Sequence, residues 1–141
     1  MIPLKWKSKG LEYWRIKLTD IESHNEMTEF YLGVDAFNKG NFPDAHHIWE
    51  HSWMRIGKSN NRTYLKPFIM LSVSYQNYEL GKVSGGDYLI KRALERLKEN
   101  QNSIKKYIDV NSLIHQIQKV IKNEKLLNRF NNIQINGVKN S

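Results

Sequence analysis

The chain has 141 residues, of which 40% are hydrophobic and 26% charged, with a formal net charge of +8 and no cysteine. That length supports one core without staples. The missing thiols exclude disulfides, thiolate metal sites and cysteine nucleophiles, and fit a reducing cytoplasm. Residues 1–24 carry scattered charges and no apolar stretch of signal-peptide type. The longest nearly apolar run, Pro67 to Tyr75, is far short of the roughly 20 residues a membrane span needs. Residues 1–23, with Trp6, Tyr13 and Trp14, read as an extension packing on the core. Ser23 to Glu26 has the pattern of a capping box, and Met27, Phe30, Tyr31, Val34 and Phe37 follow at helical spacing to a stop at Gly40. Asn41 and Pro43 open a second helix that runs to Ile56, with Gly57 as its stop. A third helix is predicted over 62–80, capped by Thr63 with Pro67 in its first turn. A fourth opens at Ser84 with Leu89, Ile90, Ala93, Leu94 and Leu97 as its apolar face. After a break within 100–109, Leu113, Ile114, Ile117, Val120 and Ile121 mark a last helix, extended towards Phe130. Residues 131–141 read as a flexible tail.

The sequence echoes itself at an offset of 41. Phe37, Gly40, Phe42, Ala45, Ile48 and Trp49 align with Tyr78, Gly81, Val83, Gly86, Leu89 and Ile90. Each unit is an apolar helix end, a glycine turn, and a small residue one turn into the next helix, which lets two helices approach closely. This is the grammar of helical hairpins, and Leu32, Gly33, Ala36, Phe42, Ala45 and Trp49 also fit part of a tetratricopeptide pattern. One and a half repeats do not make a solenoid. The expected fold is all-α: one domain over 24–130, a compact bundle of two weakly tetratricopeptide-like hairpins plus a C-terminal helix.

The stretch from Gly33 to Trp53 resembles the signature of the bacterial and archaeal family catalogued as domain of unknown function 309. The matching residues are Phe37, Asn38, Gly40, Phe42, Ala45, His46, Trp49, Glu50 and Trp53, joined further on by Gly81 and Gly86. The resemblance covers about residues 28–97. It implies an all-helical, cytoplasmic and oligomeric protein, and it brings no agreed activity. Two positions depart from the pattern: His47 stands where the family has an acidic residue, and Asn77 where it has a histidine.

Chemistry, if present, centres on the second helix. His46, His47, Glu50 and His51 have spacings that put pairs on one helix face. On a helical wheel, Ala45, Trp49, Ser52 and Ile56 face inward. His46 and Glu50 flank that face beside Trp53, and His47 and His51 point outward. The third helix is apolar nearly all round except for a stripe of Ser72, Gln76 and Glu79, which need partners. A polar network of His46, Glu50, Trp53, Ser72, Gln76 and Glu79 is therefore expected. It reads either as structure or as a hydrolytic or metal-assisted site at His46, Glu50 and Glu79. No cofactor is predicted; a divalent metal is the less favoured alternative, with His46 and Glu50 as candidate ligands on a helix that cannot close a site alone. Phosphate-loop and nucleophile-elbow motifs do not occur.

Charge is uneven: residues 1–57 hold seven Lys/Arg and eight Asp/Glu, residues 58–141 fifteen and six. Lys91, Arg92, Arg96, Lys98, Lys105, Lys106, Lys119, Lys122 and Lys125 supply the basic half. It supports weak, sequence-independent nucleic-acid binding at most. The primary expectation is a cytoplasmic interaction or scaffold module that forms homo-oligomers or meets a protein partner, with no membrane association.

Overall fold

The computed structural model describes residues 26–58, 61–122 and 133–138. Helix α1 spans Glu26–Asn38, α2 Phe42–Ile56, α3 Lys66–Glu79, α4 Val83–Glu99, the short α5 Gln101–Ile104, and α6 Val110–Lys122. A 3-10 turn, Thr63–Leu65, leads into α3. Among the described residues the only β pairing is an isolated antiparallel bridge between Ile108 and Gly137. The all-α expectation holds.

The two glycine turns obey one rule. Gly40 and Gly81 have φ of 82° and 78°, in the left-handed region that favours glycine. At the first turn Asn41 N–H donates to Ala36 O at 2.9 Å and Gly40 N–H to Phe37 O at 2.9 Å. At the second, Lys82 N–H donates to Asn77 O at 2.8 Å and Gly81 N–H to Tyr78 O at 3.0 Å. Both are Schellman motifs, which satisfy carbonyls that a helix end would otherwise leave open. The 41-residue echo is thus a repeat of hydrogen bonds as well as of residues. It folds α1 against α2 and α3 against α4; α2 also packs on α3, and α4 on α6.

Small residues set the helix crossings. A Cβ on Gly33 would lie 2.2 Å from the Trp49 indole nitrogen, and one on Gly86 2.4 Å from the Tyr78 ring. Trp49 is fully buried, and its indole N–H donates to Phe30 O at 3.1 Å. Phe30 sits among Trp49, Tyr64, Phe68 and Tyr107, with ring centroids 4.9 to 6.2 Å apart. Aromatic packing of this kind adds to area burial. Ala45, Ile48, Trp49, Ser52 and Ile56 are buried on α2, close to the face the wheel selects.

Several boundaries differ from the sequence reading. Ser84 does not cap α4: the Schellman turn makes Lys82 the cap residue, and its carbonyl accepts Gly86 N–H at 3.0 Å, so Ser84 already lies in the first turn. Thr63 belongs to the 3-10 turn and bonds Asn61, while Pro67 stands in the first turn of α3, where its missing N–H costs little. Glu26 opens α1 and accepts a 2.8 Å bond from the Tyr64 hydroxyl. The extension over 1–23, the Ser23 cap, and the continuation of the last helix over 123–130 lie outside the described residues.

The tail reading fails for residues 133–138, which dock on the helical body. Ile133 and Ile135 are buried. The Asn38 amide grips the main chain of Ile135, donating to its carbonyl at 2.9 Å and accepting from its N–H at 2.8 Å. Gln116 on α6 does the same to Gln134, at 2.9 and 2.8 Å. Asp109 N–H donates to Asn136 O at 2.8 Å. The alternation Ile-Gln-Ile puts two apolar side chains on one face of an extended segment, and the amides satisfy its main chain.

Candidate functional site on the second helix

Helix α2 presents two polar groupings on different flanks. The expected one is His46 with Glu50, Nε2 to Oε2 3.0 Å. The His46 side chain is 22% exposed and that of Glu50 51%. The His46 ring also stacks on that of His47, centroids 5.4 Å apart. The rest of the predicted network does not assemble around this pair. Ser72 turns back on its own helix and donates to Ile69 O at 2.8 Å. Glu79 is exposed at the end of α3, and the buried Gln76 Oε1 has no hydrogen-bond partner. Trp53 is engaged elsewhere: the Arg62 guanidinium lies 3.9 Å over its ring and donates to its carbonyl at 2.8 Å. The physical reason is the layer between α2 and α3. Phe42 stacks on Tyr75 at 5.0 Å, so the contact near His46 is aromatic rather than polar.

The second grouping was not anticipated. Glu29 of α1 is 0% exposed. Its Oε1 accepts hydrogen bonds from the Ser52 hydroxyl and from Arg55 Nη2, the latter at 2.5 Å. His51 Nε2 stands 3.6 Å from Oε2, which has no hydrogen bond. A buried carboxylate needs a cationic partner and donors to remain charged, and Arg55 and Ser52 supply them. His51, expected outward in solvent, is half-buried and turned towards Glu29. The close approach of Gly33 to Trp49 brings α1 over that flank of α2. One signal was available in the sequence: Ser52 falls on the core face of α2, and a polar group there requires a partner.

Burial pushes the Tyr64 hydroxyl well above its ordinary pKa, and its bond to Glu26 adds to the rise. Tyr31 is raised too, by burial first and then by Tyr107, to whose carbonyl it donates. Among the described residues no three His, Asp or Glu side chains converge as a metal site. The basic half is partly self-neutralised. Arg92 pairs with Glu95 at 3.1 Å and Arg96 with Glu99 at 3.0 Å. Lys119 and Lys122 sit in the last turn of α6, where the helix dipole favours cations. Lys125 lies outside the described residues.

Fold and site together define an all-α protein of two Schellman-turned hairpins closed by a last helix. Residues 30–89, a little under half of the chain, match the family model described as Domain of unknown function (DUF309), so the resemblance seen in the signature is shown over that stretch. No curated protein and no solved structure matches the chain. No helix among the described residues is long and apolar enough to cross a membrane.

Proposed function

We propose that the chain acts by binding rather than by catalysis, as a small helical interaction module that associates with copies of itself in the cytoplasm. The observation that supports this most is where the signature side chains go. Trp49 fills the crossing with Gly33, Phe42 stacks on Tyr75, Ala45 is buried, and Asn38 grips main chain. The signature's polar pair, His46 and Glu50, closes on itself. Residues so committed serve architecture. Met54, Leu80 and Tyr88, 72%, 70% and 64% exposed, leave large apolar side chains for a partner to cover.

The metal-assisted reading at His46, Glu50 and Glu79 has less support, since Glu79 is exposed and no three such side chains converge among the described residues. Weak nucleic-acid binding by the basic half would show as an affinity that falls steeply with salt. Light scattering on the full chain over a wide concentration range tests the main reading. A mass above the 16.7 kDa of one chain is expected. A single-chain mass throughout, together with a thermal midpoint that a chelator lowers in the wild type but not in His46→Ala, would replace it with the metal reading.

A further inference from the structure

The docked segment 133–138 is held in a way that does not depend on which chain it comes from. Its recognition has two parts. Two amide side chains, Asn38 at the end of α1 and Gln116 on α6, each make a donor–acceptor pair with one residue's main chain, at 2.8 to 2.9 Å. Ile133 and Ile135 enter the core, and Ile108 and Asp109 meet the far end through one isolated bridge, to Gly137, and the Asp109 N–H bond to Asn136 O. An extended peptide is recognised here chiefly by side-chain amides: bonds to its main chain do not depend on its sequence, and the alternate isoleucines supply selectivity. Every bond given above travels with residues 133–138 themselves.

We infer that the groove between Asn38, Gln116 and Ile108 is a peptide-recognition site for an apolar-x-apolar segment, and that its second occupant is the same segment of another copy. Ten residues, 123–132, separate the end of α6 from Ile133. Fully extended they reach roughly 33–36 Å, enough to meet a neighbouring molecule. Exchange of an identical segment keeps every hydrogen bond and both buried isoleucines, so it requires no new interface and closes into a symmetric pair. The inference rests on self-association and names the surface that produces it. Occupation by the chain's own segment, favoured by a high effective concentration, gives the single-chain form.

The test uses full-length protein and a fluorescent peptide of residues 131–141. Ile135→Asp disables the segment and leaves the groove. This variant is expected to bind the peptide saturably, and adding Asn38→Ala should weaken that binding at least about tenfold. Wild-type protein should show a dimer that Ile135→Asp loses. No saturable binding to a folded Ile135→Asp variant overturns the groove. Peptide binding with identical masses for wild type and variant overturns the second copy as occupant and leaves a foreign peptide in its place. An equal dimer in both, without peptide binding, overturns the inference and leaves self-association standing. If Ile135→Asp does not fold, isotopically light and heavy wild-type chains are mixed, incubated and cross-linked. Mixed-isotope links joining the helical body of one chain to the C-terminal peptide of the other are expected, and links found only within one chain contradict exchange.

Discussion

Glu29 and Glu50 are two carboxylates near one helix with opposite energetic weights. Glu29 is wholly buried against Arg55, so Arg55→Ala strands a charge and should cost about 3 kcal/mol. Replacing both residues by methionine should recover most of that loss, because the desolvation penalty goes with the pair. Glu50 is half in water, and its bond to His46 is an i,i+4 surface pair, so Glu50→Ala should stay within about 0.5 kcal/mol. Urea midpoints of the variants read both. Tyr64 adds a pH dependence with a definite sign. Its folded-state pKa is raised, so the folded chain keeps a proton that the unfolded chain loses above about pH 10. Stability from this group is therefore full below that pH and falls as pH rises through it. The alkaline fall in thermal midpoint should be shallower in Tyr64→Phe than in the wild type. The carboxylate that matters was hard to see in the sequence. Glu29 lies beside Phe30 on an ordinary amphipathic helix, and only the misplaced polarity of Ser52 hinted at it.

At the scale of elements, four glycines of the two hairpins divide into two kinds. Gly40 and Gly81 meet open space but hold positive φ, so alanine there should cost about 1–2 kcal/mol, alike at both turns. Gly33 and Gly86 lie inside helices, and alanine at Gly33 would drive into the fully buried Trp49 ring. That loss should reach about 3 kcal/mol or more, and calorimetry of the three alanine variants should rank Gly33 worst. The hairpins were legible because their determinants are local: a glycine, an apolar helix end and a small residue at fixed offsets. The cross-helix polar network was not, because a helical wheel gives an angle on one helix and says nothing of which neighbour covers it. The aromatic contact of Phe42 with Tyr75 occupies the place where His46 was expected to meet Gln76.

At the scale of the whole molecule, the C-terminal segment changes the picture most. Polar, Asn-rich and close to the chain end, residues 131–141 carry the composition of a tail. What docks 133–138 is a pair of amides 97 and 18 residues away, a long-range match that no local pattern contains. Asn38, a signature position before the glycine turn, thereby has a role: it reads the main chain of another segment. The helical body holds residues 133–138 by their main chain, through the amides of Asn38 and Gln116. Amide hydrogen exchange at Gln134 and Ile135 tests it most directly, since those N–H groups donate to Gln116 and Asn38. Both should exchange far more slowly than in an unfolded chain, and Asn38→Ala with Gln116→Ala should release them while the α2 core amides around Trp49 stay protected. Exchange of Gln134 and Ile135 at unfolded-chain rates in the wild type would contradict the claim.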